Sequence, residues 1–113
     1  MIQKISEKRR PHYELSLFKE LFSNAKTRQI TQIAHKGAAS EGYMTVEDIE
    51  NVIEQLGSKH FYKSMTTYHS HEIWQDVYHY QDGDKKLYIK IQLSVDRDKA
   101  VLIQMKRDEG SDE

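Results

Sequence analysis

The sequence predicts an α+β domain in which three helices pack on a mostly antiparallel sheet. Apolar residues recur at helical spacing through the first half, two-residue alternation takes over from Phe61 onward, and short polar turns separate the alternating runs. Helices followed by hairpin-linked strands imply a sheet with one face covered by helices and the other partly open.

The chain starts with a basic arm, Lys4, Lys8, Arg9 and Arg10, ahead of its single proline, Pro11. Such an arm suits a phosphate-binding patch or a solvated terminus. Leu17, Phe18, Leu21, Phe22 and Ala25 mark a first helix, with Ser16 placed to cap it. Lys26 to Ile30 reads as a short extended link or edge strand. Thr31 to Ser40 carries Ile33, Ala34 and Ala38 as a weaker second helix that ends near Gly42. Thr45 and Asp48 have capping-box spacing, and Val46, Ile49, Val52, Ile53 and Leu56 form the clearest amphipathic stripe, closed by Gly57.

Phe61 to Tyr68 and Ile73 to Tyr80 are rich in aromatic and β-branched residues and flank the polar turn His69 to Glu72. Leu87, Ile89, Ile91, Leu93 and Val95 alternate with Tyr88, Lys90, Gln92 and Ser94, between the turn Asp82-Gly83-Asp84 and the loop Asp96 to Lys99. In the last strand Val101, Ile103 and Met105 alternate with Leu102, Gln104 and Lys106.

With 113 residues the chain reads as a single domain, 1–113, in which 107–113 form an acidic, flexible tail. The absence of cysteine excludes disulfides and cysteine-bound zinc. No apolar run long enough for a membrane span and no signal-peptide core are present, so a cytoplasmic protein without membrane contact is expected. The net charge of −1 conceals an uneven distribution. Asp108, Glu109, Asp112 and Glu113 crowd the tail against Arg107, leaving the body mildly basic.

If Ile89, Ile91, Ile103 and Met105 face the helices, then Tyr88, Lys90, Gln104 and Lys106 face away, with Lys63 on a neighbouring strand. Lysines neutralise phosphates and an exposed tyrosine can stack on an unpaired base. The same alternation also describes ordinary solvent-facing positions. Phase places Lys63 with Phe61 and Met65, and Gln75 with Ile73 and Val77, so a bulge or a strand end is needed to bring them to the open face. His60, His69, His71 and His79 cluster in sequence, but His69 and His71 have only Glu72 and Asp76 near them. That is a poor zinc donor set, so surface histidines and no metal are expected.

The block FYKSMTTYHSHEIWQDVY, Phe61 to Tyr78, resembles the central segment of the MqsR (motility quorum-sensing regulator) toxin family. Glu7-Lys8-Arg9 with Pro11-His12 and Leu15-Ser16, Tyr88-Ile89-Lys90-Ile91, and Gln104-Met105-Lys106 extend the resemblance, while the helical region matches in pattern only. The resemblance implies a RelE-like fold with a curved sheet. It also implies the toxin of a type II toxin–antitoxin pair, an endoribonuclease that cuts mRNA at preferred sequences, such as the GC-containing triplet GCU, to inhibit translation. The implied partner is a zinc-binding, helix-turn-helix antitoxin of the MqsA type, with DNA contacted only through it. Carried over by position, Lys63, Gln75, Tyr88 and Lys106 are the catalytic candidates, and Lys90, Tyr68, Arg9 and Arg10 are further RNA contacts. The implied chemistry is metal-independent transesterification by the ribose 2′-hydroxyl, needing no cofactor. His79 to Lys86, the loop Asp96 to Lys99 and the tail depart from the family pattern. A non-catalytic RNA- or protein-binding regulator on the same fold and a histidine-based metal hydrolase are the alternative readings.

Overall fold

A computed structural model describes residues 5–110. Among them three α-helices and a six-stranded, mostly antiparallel sheet form the expected α+β architecture. No helix among the described residues is long and apolar enough to cross a membrane.

Helix α1 (Leu15–Phe22) buries Phe18 and Phe22, which lie four positions apart and stack at 5.5 Å. It starts earlier than expected. Glu14 is the N-cap and its carbonyl accepts from Phe18 N–H at 3.1 Å, so Ser16 lies inside the helix rather than capping it. Thr27 Oγ1 donates to Leu21 O at 2.7 Å and Arg28 Nη1 to Phe22 O at 3.1 Å. Those bonds satisfy the last carbonyls and leave Ala25 outside the helix.

Helix α2 (Gln32–Ser40) is capped by Thr31, whose Oγ1 accepts from Ala34 N–H at 3.0 Å. Ala34 and Ala38 are its buried residues, whereas Ile33 is exposed: the four-residue spacing of the alanines sets the packed face, and Ile33 lies about 100° off it. That flat face lets the backbone approach the sheet, and a Cβ on Gly37 would stand 2.2 Å from Met105 O. Helix α3 (Val46–Gln55) starts with the expected Thr45–Asp48 capping box and buries Ile49, Val52 and Ile53.

The sheet runs β1-β3-β4-β5-β6-β2, with β1 at Glu7–Lys8, β2 at Arg28–Ile30, β3 at Phe61–Thr67, β4 at Ser70–Asp82, β5 at Lys85–Leu93 and β6 at Ala100–Arg107. β2 is the expected edge strand and pairs parallel with β6; the other pairings are antiparallel. β1 carries no sequence signal at two residues long. The first hairpin is tighter than its composition suggests. Thr67 pairs with Ser70, which leaves Tyr68-His69 as the turn and puts His71 and Glu72 in β4. Val95 lies beyond the end of β5 and is fully exposed, so it extends no strand.

Two bulges govern which side chains face where. Lys90 pairs with Gln104 but Ile91 with Leu102, so Ile103 is the extra residue on β6. The phase therefore flips. Leu102 and Ala100 join Met105 against the helices, whereas Ile103, expected there, stays only partly buried. On β3, Phe61 pairs with Tyr78 but Lys63 with Val77, so Tyr62 is the extra residue. Arg107 still belongs to β6, and Asp108 N–H donates to Lys86 O at 2.7 Å, so the chain leaves the sheet later than the expected tail boundary at 107. Lys4 of the basic arm, and Asp112 and Glu113 of the tail, lie outside the described residues.

Candidate active site on the open sheet face

The helix-covered core takes Tyr78 from β4, Leu87, Ile89 and Ile91 from β5, and Leu102 and Met105 from β6. The side chains between these positions point to the other face. There Met65, Val77 and Tyr88 form a second, smaller apolar cluster edged by Tyr62. Val77 thus belongs to the open face, and Gln75, two residues before it, shares that face without any bulge. The Tyr62 bulge does the corresponding work for Lys63, separating it from Phe61, whose ring packs on Tyr78 in the main core.

Register then assembles the candidates into rows. Tyr88 stands between His79 of β4 and Lys106 of β6, and Val77 stands between Lys63 and Lys90, which in turn pairs with Gln104. Gln75 Nε2 donates to Gln92 Oε1 at 2.8 Å, fixing the Gln75 amide. Two tyrosines act as hubs. Lys106 Nζ and Lys90 Nζ lie 5.1 and 5.7 Å from the centre of the Tyr88 ring. The Arg9 guanidinium and Lys63 Nζ lie 5.3 and 5.4 Å from the centre of the Tyr62 ring. Each cation gains from the negative face of the ring, and the rings hold like charges near one another. Lys63, Gln75, Tyr88, Lys106, Lys90 and Arg9 therefore share one face of the sheet, but Tyr88, expected to be exposed there, is only 2% exposed because Met65, Val77 and Tyr62 pack around it.

Tyr68 and Arg10 make no described contact with these residues. Tyr68 is exposed at the β3–β4 hairpin tip, its ring against His69. Arg10 is exposed on the link into α1, and no described contact joins it to the cluster. Lys8 of the same arm is committed elsewhere: its Nζ lies 4.3 Å from the centre of the Trp74 ring and donates to His12 Nδ1 at 2.9 Å. Burial, and then the Lys8 charge, lower the His12 pKa below the ordinary histidine value.

Sequence reasoning missed two residues here. His79, expected to be an incidental surface histidine, stacks on Tyr62 at 4.2 Å, has its ring centre 6.1 Å from that of Tyr88, and lies 3.6 Å from the Asp108 carboxylate. Glu7 donates no signal from its short strand, yet its carboxylate accepts from Lys63 Nζ at 2.7 Å. The Lys63 side chain is only 1% exposed, so the pair supplies the partner that a buried ammonium requires. No three His, Asp or Glu side chains stand together as a metal site among the described residues.

The N-terminal arm is held in place by Asp76, a fully buried carboxylate on β4. It accepts from His12 N–H at 3.0 Å and from Tyr13 N–H at 2.9 Å, while Tyr13 Oη donates to Trp74 O at 2.7 Å. Upstream, Thr66 N–H donates to Ser6 O at 2.9 Å. These contacts lay the arm along the edge of the cationic face.

The chain resembles known proteins over most of its length. The family model described as motility quorum-sensing regulator, toxin of MqsA, matches residues 10–107. The chain is also similar to the mRNA interferase toxin MqsR of Escherichia coli (strain K12), 42% identical over 85 residues, covering 75% of this chain and 85% of that protein. On the span and identity of these matches, the chain belongs to the MqsR toxin family.

Proposed function

We propose that this protein is the toxin of a toxin–antitoxin pair and acts as an endoribonuclease on mRNA, stopping translation. The observation that carries the reading is the open sheet face. Cations from β3, β5, β6 and the N-terminal arm surround two tyrosines over a small apolar floor, in a chain of the MqsR family. The relative's name, mRNA interferase, supports the same substrate class.

Lys63, Gln75, Tyr88 and Lys106 are the catalytic group in this reading, and Lys90 and Arg9 are RNA contacts. The ribose 2′-hydroxyl attacks the adjacent phosphorus and the bond to the 5′-oxygen breaks, leaving a 2′,3′-cyclic phosphate and a 5′-hydroxyl. Negative charge gathers on the non-bridging oxygens. Ammonium groups fixed beforehand over an apolar floor stabilise that charge more than they would in water. Lys106 and Lys63 serve that purpose. Gln75, oriented by Gln92, offers one amide to the scissile phosphate or the 2′-hydroxyl. Tyr88 is too deeply buried to stack a base; its ring underlies Lys90 and Lys106 and positions their ammonium groups for the phosphate.

None of these roles requires a metal. The RNA preference suggested by the family resemblance is for GC-containing triplets such as GCU. The partner is an MqsA-type antitoxin, in keeping with the family description. The test is to incubate the purified protein with an mRNA in EDTA and map the ends of the products. Cleavage yielding 2′,3′-cyclic phosphate and 5′-hydroxyl ends is expected. Intact RNA after incubation with folded protein, with or without divalent metal, would overturn the reading.

A further inference from the structure

A 2′-hydroxyl needs a proton acceptor, and none of the four expected catalytic residues is a carboxylate or an imidazole. A free phenol titrates near pKa 10 and a lysine ammonium must lose a proton before it can accept one. The cationic face does carry a carboxylate, that of Glu7. Its Oε2 accepts from Lys63 Nζ at 2.7 Å, and its side chain is 38% exposed where that of Lys63 is 1% exposed. RNA arriving at this pair therefore meets the carboxylate first and the ammonium behind it.

Contacts on both sides hold Glu7 in place. Glu7 pairs with Met65 of the apolar floor. Ser6 is bonded to Thr66 through both its N–H and its carbonyl, each at 2.9 Å. Further along the arm, Asp76 anchors His12 and Tyr13. One carboxylate oxygen, Oε2, takes the bond from Lys63, and an ionised carboxylate has acceptor sites to spare.

We propose that Glu7 is the general base of this site, with Lys63 holding its carboxylate in position; this rests on the cleavage reading above. As the O2′–phosphorus bond forms, the Glu7 carboxylate takes the 2′-hydroxyl proton. The 5′-oxygen departs with the electron pair of the broken bond and takes a proton from water, and Glu7 returns its own proton to solvent. The three donors of the Lys63 ammonium allow it to keep its bond to Glu7 while another points toward the phosphate.

The test is single-turnover cleavage of an RNA transcript that the wild-type protein cuts, comparing wild type, Glu7→Gln and Glu7→Asp across pH. Glu7→Gln keeps an acceptor for Lys63 but loses the ionisable group. It is expected to lower the cleavage rate by about 100-fold or more, with RNA affinity changed by less than about threefold and the acid limb of the rate profile flattened. Glu7→Asp is expected to retain that limb at a reduced rate. A Glu7→Gln protein that cuts as fast as wild type, or faster, overturns the proposal; in the faster case the carboxylate is a plug over Lys63. Equal losses in both variants with an unchanged pH profile also overturn it, since a strand fastener would behave that way. If folded wild-type protein cuts no RNA, the cleavage reading itself fails and the role of Glu7 fails with it.

Discussion

Single residues in this protein have roles set by partners far away in sequence. Asp76 shows this most plainly. Its sequence neighbours suggested only a weak metal ligand, yet it accepts from two backbone N–H groups more than sixty positions away. Asp76→Ala would leave those donors unpaired in a buried site, and we expect a loss of about 2–4 kcal/mol in urea denaturation. A loss under about 0.5 kcal/mol, the range of an ordinary surface substitution, would contradict the clamp. Tyr88, Lys90 and Lys106 could be placed from alternation because regular strands carry them. Glu7 could not, because a two-residue strand has no periodicity to read. The same holds for His79: alternation assigns its face, but its stacking on Tyr62 depends on the bulge in β3.

Elements were legible wherever a local signal was strong, and their limits were misplaced where tertiary contacts decide them. The Thr45–Asp48 capping box and the apolar stripe of α3 were readable because both are local. The start of α1 was not, because the chain enters it from the Asp76 clamp. Only one of the two bulges left a trace. The Tyr62 bulge was visible as an apparent conflict between Lys63 and its phase. The Ile103 bulge gave no warning, because Val101, Leu102 and Ile103 are all apolar and either phase reads well. Helix α2 invites a test of its own. An added methyl at Gly37 meets the Met105 carbonyl at 2.2 Å and would push α2 off β6. Gly37→Ala is expected to cost about 1–3 kcal/mol, or more, with a matching drop in Tm. An unchanged Tm would show that the helix has room to shift.

For the molecule as a whole, titration and surface charge are the readable properties. His12 and His60 both have pKa values lowered chiefly by burial, so the unfolded chain binds their protons more readily than the folded one. Their stabilising effect is complete above the ordinary histidine value of about 6.5 and declines as pH falls below it. Tm is therefore expected to drop between pH 7.5 and 5.5, and replacing both histidines with Gln should reduce that drop. An identical drop in the double variant would contradict the assignment.

The central claim is that the open sheet face is where RNA is cut. The direct measurement is single-turnover cleavage of one RNA by wild type, Lys63→Met, Tyr88→Phe and Lys106→Met, with Tm recorded for each. Losses of about 100-fold or more in proteins that remain folded are expected, because in the proposed reading each substitution removes an ammonium or a hydroxyl of the catalytic group. Folded variants that cut RNA at the wild-type rate would place the chemistry elsewhere on the molecule.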